Sequence, residues 1–504
     1  MLVELPIELW RDILSYLPNG TASRLIGVNR QLFEIGMNEL YEEVSVGASP
    51  CKYFEWKRFE NCVVEQLKNA EKHFSSTVLS ATMKKLFRVD NGEPVSRLLA
   101  LIVERLKACQ NLKEITLQST AGNQGITKLY AQTIGDLLAE PPLAQQIRVL
   151  NVDIHVPLWK VETPKGFHSK LPFSSILPST VSTHLTLLTT LNLVLSASRA
   201  RDDDIAGGDD EDYGCKALAE HLRAVLIAAR HTLTSLVVVL KNGQAELPVD
   251  LADLFPAPQV AENTGREQIE LPALKTVSIT SQSYGLNVDC SEIMVQFLTH
   301  CAIHIESLTL MHGLGFGRVP RFFEEEKLFR LAKFLEVMLK TGRCMASLRE
   351  LTFSLSISSV KPLVAVLEAG LMPELRKLVL SPPMQVDGLT FDMFKEVLES
   401  IVHGGGASKL EEIHVYVCPF SPSHLVLLQE YLPKLRKLVL VYDRLAEAPD
   451  SSSQGDAEAI LTAFQTSAHP DWKSRTIVFE EMEFDTRFEG NPGAVLRKRI
   501  QRSQ

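Results

Sequence analysis

Few residues of this sequence have the types and spacing that catalysis needs. The segment His403-Gly404-Gly405-Gly406 has the composition of a loop whose backbone N–H groups stabilise a developing oxyanion. Acyl transfer of that kind also needs a serine on a G-x-S-x-G turn, and the chain contains no such motif. Because the glycines stand between a helical pattern and an apolar strand pattern, the sequence favours a plain turn here.

Other motifs that bind cofactors or metals are incomplete. The segment GLGFG at 313–317 follows a strand pattern, but Arg318 replaces the third glycine of the dinucleotide-binding fingerprint, which favours a loop. The chain has no P-loop, no H-E-x-x-H and no cysteine and histidine spacing suited to zinc. Adjacent carboxylates such as Glu411-Glu412 are typical of exposed positions rather than of acid–base pairs. The sequence therefore predicts a protein that is not an enzyme and that uses no cofactor or metal.

Composition predicts a globular protein without a membrane or nucleic-acid function. The chain has 504 residues, of which 45% are hydrophobic and 22% are charged. Its net charge of -9 argues against general binding to nucleic acid, which needs a concentrated basic surface. No apolar run approaches the ~18 residues of a membrane span, and the N-terminus lacks the basic region of a secretory signal. The eight cysteines form no C-x-x-C pair, so we expect reduced thiols and a cytoplasmic or nuclear location.

Residues Leu5–Val44 have the pattern of three short amphipathic helices. Pro6 suits a first helical position, and Leu9, Ile13 and Leu17 recur every four residues as one apolar stripe. A second helix is expected after Thr21, and a third across 32–40. A segment of about 40 residues seldom buries enough surface to fold alone, so these helices should be completed by a partner.

This stretch resembles the F-box motif, as found in fungal-type F-box proteins, along its whole length. The matching positions are Leu5, Pro6, Glu8, Leu9, Ile13, Leu14, Leu17, Val28, Arg30, Phe33, Leu40 and Tyr41. Asn29 and Phe33 depart mildly from the serine or cysteine and the tryptophan that are usual in the family. The resemblance implies docking onto the Skp adaptor of a cullin-RING ubiquitin ligase through Leu5, Pro6, Leu9, Ile13, Leu14, Leu17, Leu25 and Val28. The alternative is that these helices only cap the domain that follows.

One apolar pattern returns ten times after residue 111. Each copy has an apolar residue, two variable ones, an apolar residue, a variable one and a third apolar residue. The copies are Leu112-Ile115-Leu117, Ile147-Leu150-Val152, Leu188-Leu191-Leu193, Leu233-Leu236-Val238, Leu274-Val277-Ile279, Ile305-Leu308-Leu310, Leu348-Leu351-Phe353, Leu375-Leu378-Leu380, Leu410-Ile413-Val415 and Leu435-Leu438-Leu440. A repeated strand of this kind resembles the leucine-rich repeat.

Amphipathic helices are predicted between the copies. They are 95–108, 130–138, 216–229, 291–300, 325–340, 361–369, 391–402 and 422–431. The predicted fold is therefore an α/β protein, with an N-terminal three-helix F-box followed by an irregular leucine-rich-repeat solenoid that has short parallel strands inside and helices outside. The predicted domains are the F-box at 1–46, a linker at 47–110, the solenoid at 111–484 and a basic tail at 485–504.

The repeats are irregular in spacing and in turn chemistry. Their first positions lie from 25 residues apart (410 to 435) to 45 residues apart (188 to 233), against ~20–29 in regular repeats. The asparagine or cysteine that usually follows the motif is missing, except for Cys418. Three segments, 201–212, 243–272 and 446–456, have the composition of solvated loops. The basic tail suits a solvated terminus, with recognition by a nuclear importer as the alternative.

The variable positions of each copy should face away from the core and form a mixed polar wall. Its members include Glu114, Thr116, Thr190, Asn192, Thr276, Ser278, Glu350, Thr352, Lys377, Glu412, His414, Tyr416 and Lys437. Such a wall suits a protein partner better than phosphate groups. We therefore expect target contacts at Thr116, Thr352, Lys377, His414, Tyr416 and Lys437. The sequence predicts a substrate-recognition subunit of an SCF-type ubiquitin ligase, and the alternative is a repeat scaffold with no ligase connection.

Overall fold

The computed structural model describes the repeat strands, the C-terminal helices and scattered positions between them. In order these are 9–10, 13, 16, 43–45, 76–79, 104, 112–119, 138–159, 168–169, 184–199, 223–242, 270–281, 295, 297–298, 303–312, 331–354, 357–381, 388–406, 409–442, 444, 446, 476–484 and 494–503. Most of the predicted F-box and linker lies outside the described residues. So do the 313–317 segment, the 201–212 insertion and nearly all of the insertions at 243–272 and 446–456.

The first of two compact units comprises Met1–Leu195 and Ala200–Leu233. Its described strands are β1 Glu43–Ser45, β2 Ser76–Leu79, β3 Glu114–Ser119, β4 Val149–Trp159, β5 His168–Ser169 and β6 Thr190–Arg199, whose last four residues belong to the second unit. Strands β1 to β4 pair in parallel in chain order, and β5 pairs antiparallel with the end of β4. A short helix, α1 Pro141–Ala144, precedes β4.

The second unit comprises Ser196–Arg199 and Thr234–Gln504. Its strands are β7 Ser235–Asn242, β8 Thr276–Ser281, β9 Ser307–His312, β10 Glu350–Ser354, β11 Lys377–Ser381, β12 Glu412–Val417, β13 Lys437–Tyr442, β14 Thr476–Phe484 and β15 Ala494–Ser503. Each of β7 to β13 pairs in parallel with the next strand, and β15 runs antiparallel to β14. Its described helices are α2 Leu331–Thr341, α3 Ile357–Glu368, α4 Phe391–His403 and α5 Pro422–Tyr431, and each contacts the next.

The ten apolar triplets form the core of the sheet. Every triplet side chain that the structure describes is at most 3% exposed, from Leu112 in the first copy to Leu440 in the last. Alternate residues of a strand point to opposite faces, so the triplets bury one face and leave the variable positions on the other. The predicted α/β repeat solenoid with parallel strands is confirmed.

A backbone ladder joins successive repeats at the starts of their strands. The carbonyl oxygen of the residue before a strand accepts two N–H groups of the next repeat. Arg349 O, for example, accepts from Arg376 N at 2.7 Å and from Lys377 N at 2.9 Å. The same pair of hydrogen bonds is accepted by the carbonyl oxygens of Lys113, Arg148, Thr234, Lys275, Glu306, Arg376 and Glu411. Main-chain groups thus link the start of each of these strands to the next repeat without the help of a side chain.

The glycines after α4 form the plain turn that the sequence favours. Gly405 has φ +77°, a left-handed conformation that suits glycine. A Cβ on Gly404 would collide with the carbonyl oxygen of Leu367 at the end of α3. Gly404 therefore permits the close packing of α3 and α4, and Gly405 permits the turn that ends α4.

Several elements differ from the sequence predictions. Helix α3 begins at Ile357 rather than at 361, because the buried Ser359 and Val360 extend its packed face toward the N-terminus. Strands β1, β2, β5, β14 and β15 were not predicted, and β15 occupies residues 494–503 of the predicted basic tail. Lysine and arginine are common in strands at a sheet edge, where they oppose aggregation. Among the described helices, none has both the length and the apolar character that a bilayer crossing requires.

Candidate functional site

The register of the second unit arranges the variable positions in rows across the strands. One row contains Ser307, Glu350, Lys377, Glu412 and Lys437 on β9 to β13. The row above it contains Thr309, Thr352, Val379, His414 and Val439. Three of the predicted contact residues, Lys377, His414 and Lys437, therefore lie on adjacent strands around Glu412.

Glu412 is the centre of a cluster that consists of Lys377, Glu412, His414 and Lys437. Its Oε1 atom lies 2.6 Å from His414 Nε2, 2.7 Å from Lys437 Nζ and 3.9 Å from Lys377 Nζ. The side chain of Glu412 is 21% exposed, whereas that of Lys437 is 42% exposed. The carboxylate of Glu412 is thus largely covered by its neighbours, whereas the Lys437 side chain is exposed enough to contact a partner. We did not name Glu412 as a contact residue from the sequence, because nothing in the repeat pattern marks it as a shared acceptor.

Environment sets the charge of the Glu412 cluster. Partial burial alone would raise the pKa of Glu412, but the hydrogen bond from Lys437 and the charges of both lysines hold this pKa below its usual value. Burial lowers the pKa of His414, and the nearby carboxylate of Glu412 opposes that change only in part. At neutral pH the cluster therefore has two ammonium groups, one carboxylate and a neutral imidazole. Such a group can form ion pairs and hydrogen bonds with a protein side chain.

Substitution of Glu412 by glutamine should lower the pKa of His414 further. The carboxylate is the group that favours the imidazolium, while burial and the two lysine charges disfavour it. An NMR titration of the His414 ring protons measures this shift. Glu411→Gln is the matched control, because Glu411 is the adjacent carboxylate and pairs with Arg376 and Arg436 instead. A His414 pKa that rises or stays constant in Glu412→Gln would contradict the assigned electrostatics.

Thr116 belongs to a separate side-chain ladder in the first unit. Asn151 Nδ2 donates to Glu114 Oε1 at 2.8 Å and to Thr116 Oγ1 at 2.9 Å. Asn192 Nδ2 donates in turn to Asn151 Oδ1 at 2.5 Å. Asn151 stands between Leu150 and Val152, so its position in the repeat pattern was a signal that our sequence analysis overlooked. These hydrogen bonds link β3, β4 and β6, and one of them is accepted by the hydroxyl oxygen of Thr116.

Tyr416 is covered rather than available on the face. Its side chain is 4% exposed, and a Cβ on Gly388 would lie 2.7 Å from its ring. Leu389 pairs with Val417 as an isolated bridge, and its N–H donates to Tyr416 O at 3.0 Å. The segment before α4 therefore folds over the end of β12. The repeat pattern placed Tyr416 correctly on the strand but could not show this cover, and we no longer count Tyr416 as a contact residue.

Of the eight predicted adaptor contacts, Leu9 and Ile13 lie among the described residues. Both are helical, one turn apart, and their side chains are 47% and 44% exposed. Tyr16, on the following turn, is 88% exposed. In the part of the chain that the structure describes, no group of three histidine, cysteine, aspartate or glutamate residues is placed to hold a metal ion.

Comparison with known proteins yields structural neighbours only. No family model and no curated protein match the chain. The leucine-rich repeat-containing protein LegL7 from Legionella pneumophila has 14% identity and a TM-score of 0.39, over 84% of this chain and 98% of LegL7. The Rad7 and Elc1 complex in yeast matches at 11% identity and a TM-score of 0.32, over 89% of this chain and 90% of the other. The TLR13–ssRNA13 complex matches at 15% identity and a TM-score of 0.36, over 82% of this chain and 41% of the other chain. At such values, the function of this chain has to be inferred from its own residues.

Proposed function

We propose that this protein is the substrate-recognition subunit of an SCF-type cullin-RING ubiquitin ligase. Its N-terminal helices dock the Skp adaptor, and its repeats bind a target protein. The observation that carries the proposal is the exposure of Leu9 and Ile13, two aliphatic side chains one helical turn apart in a segment that resembles the F-box. Such a pair has the spacing of a helix face that a partner covers.

The mechanism in this proposal is positional. The repeats hold the target while the N-terminal module holds the ligase, which raises the effective concentration of the target near the ubiquitin-charged enzyme. Bond formation belongs to other subunits. The Glu412 cluster supports a protein target, because its charges are paired and half-buried as in the polar part of a protein interface.

A second function has a specific observation in its favour. Strand β1, at Glu43–Ser45, pairs with β2, which pairs with β3, so the end of the N-terminal module is continuous with the repeat sheet of the first unit. This continuity supports a scaffold whose N-terminal helices cap the repeats and contact no ligase. The two functions differ in what the helices before β1 bind.

Deletion of residues 1–41 separates these functions, because it removes the F-box-like helices and keeps β1. Tagged full-length protein should recover the Skp adaptor and a cullin from cells, and the deleted protein should recover neither. Thermal unfolding of both proteins checks that the repeats remain folded. Equal recovery of adaptor and cullin by the deleted protein would overturn the ligase proposal and favour the scaffold.

A further inference from the structure

The six residues that directly precede strands β8 to β13 form a charged edge that the proposed function leaves unused. The charged edge consists of Lys275, Glu306, Arg349, Arg376, Glu411 and Arg436, each one position before a strand. Their backbone groups lie in the ladder between repeats, so their side chains follow one another at the strand spacing of about 4.8 Å. The sequence contains these charges, because the residue directly after the first apolar position is basic in four of these six triplets and glutamate in the other two.

The charged edge is built from cation–carboxylate–cation triads. Glu306 lies 3.1 Å from Lys275 and 3.3 Å from Arg349. Glu411 lies 3.9 Å from Arg376 and 3.1 Å from Arg436. Each triad has two cations for one carboxylate and therefore keeps one positive charge. The Lys377–Glu412–Lys437 group, one residue further along the same strands, repeats this composition.

Arg349 and Arg376 stand next to each other at the centre of the charged edge. They precede the neighbouring strands β10 and β11, while their carboxylate partners Glu306 and Glu411 lie on the outer sides. Their side chains are 54% and 51% exposed. The charges of both arginines act on Glu374. A hydrogen bond from Lys409 is the main cause of the lowered pKa of Glu374, and the charges of Arg376 and Arg349 lower this pKa further. Two exposed guanidinium groups thus face the same stretch of surface.

We propose that the charged edge binds an acidic peptide segment, rich in aspartate or glutamate, of a protein target. This inference rests on the proposed function and specifies the chemistry of the target. Within the triads, the carboxylates of Glu306 and Glu411 each lie between two cations from neighbouring strands. The carboxylates of an acidic peptide could bind cations of the edge in the same way. From Lys275 to Arg436 the edge spans five strand spacings, about 24 Å, which corresponds to about seven residues of extended chain.

A peptide is a better occupant than nucleic acid. Single-stranded nucleic acids are held by stacking on exposed aromatic side chains as well as by charge. All six residues of the charged edge have charged side chains, so the edge itself offers no aromatic ring for base stacking. The carboxylates within the triads would also repel a continuous phosphate backbone, whereas a peptide can place neutral residues opposite Glu306 and Glu411.

Fluorescence anisotropy of a labelled peptide tests the proposal with the full-length chain. The probe has about seven residues with alternating aspartate and glycine, and its control carries asparagine in place of aspartate. Arg349→Glu with Arg376→Glu should weaken binding of the aspartate probe at least about tenfold at low ionic strength. The neutral pair Arg349→Gln with Arg376→Gln should give a smaller loss in the same direction, which guards against a folding defect of the first pair.

Lys340→Glu with Lys361→Glu is the matched control, because it changes the net charge equally at exposed positions on α2 and α3. This pair should keep the wild-type affinity. Equal loss in both charge-reversed pairs, equal binding of the asparagine peptide, or preference for a phosphoserine peptide or an RNA oligomer would each overturn the proposal. Adaptor recovery by the same variants should be unchanged, so a failed peptide assay leaves the ligase proposal separately testable.

Discussion

Replacement of both Leu9 and Ile13 by aspartate is expected to weaken capture of a Skp-type adaptor by the full-length chain. Full burial of an exposed aliphatic side chain contributes about 1.5–3 kcal/mol, and Leu9 and Ile13 are already about half covered in the free protein. Loss of both side chains therefore corresponds to about 1.5–3 kcal/mol, or a dissociation constant about 10- to 100-fold weaker. Aspartate adds the cost of bringing a charge into an apolar contact, so the measured loss should be at the upper end of this range.

The exposure of the two side chains makes this a test of binding rather than of folding. Because Leu9 and Ile13 are 47% and 44% exposed, aspartate at these positions remains solvated in the free protein. Val426→Asp is the matched control, since Val426 on α5 is also apolar and 52% exposed. Calorimetric titration with purified adaptor measures the affinities. Binding of the double variant at wild-type strength would rule out the Leu9 and Ile13 face as the docking surface.

The second large effect concerns acid stability and depends on His424. Its side chain is fully buried on α5, with ring centroids 5.0 Å from Phe391, 5.4 Å from Phe394 and 5.8 Å from Phe420. Nδ1 accepts the Ser421 N–H at 3.2 Å, while Nε2 has no hydrogen-bond partner among the residues that the structure describes. Burial lowers the pKa of His424 to about 4. A protonated Nδ1 could instead donate to the Ser421 carbonyl oxygen 3.2 Å away, and this hydrogen bond opposes the shift only in part. The aromatic neighbours therefore hold the imidazole neutral.

Because the pKa of His424 is lower in the folded than in the unfolded chain, its contribution to stability is complete above about pH 6.5 and is lost as the pH falls toward 4. Each pH unit in this window costs about 1.4 kcal/mol. Between pH 6.5 and 5 the free energy of unfolding should fall by about 2 kcal/mol on account of this residue.

Urea unfolding at several pH values measures the effect of His424. His424→Gln should flatten the decline between pH 6.5 and 5, whatever its stability at neutral pH. His403→Gln, at a histidine that is 67% exposed, is the control and should keep the wild-type slope. An unchanged slope in His424→Gln would show that the buried imidazole is not the source of the acid sensitivity.

The repeat strands were predictable because their apolar residues alone determine them. A strand that buries one face needs an apolar residue at every second position, and ten copies of that spacing identify ten strands without knowledge of their neighbours. Helices α4 and α5 were predicted almost to the residue from their amphipathic spacing, and in the structure they begin directly after Thr390 and Ser421, residue types that favour the N-cap. Strands such as β1 were missed, since three residues are too few to show a period.

The sequence by itself determined the α/β repeat, the buried triplets and the polar character of the opposite face, since these depend on local spacing and side-chain chemistry. Only the tertiary structure decided which polar residues meet. Lys377, Glu412 and Lys437 converge because parallel pairing sets three strands in register, over a separation of 60 residues from the first to the last. The segment before α4 covers Tyr416, and the pairing of β10 with β11 places Arg349 beside Arg376. The strand register and the burial of Tyr416 both depend on residues that are distant in the chain, and for that reason no local sequence pattern predicts them.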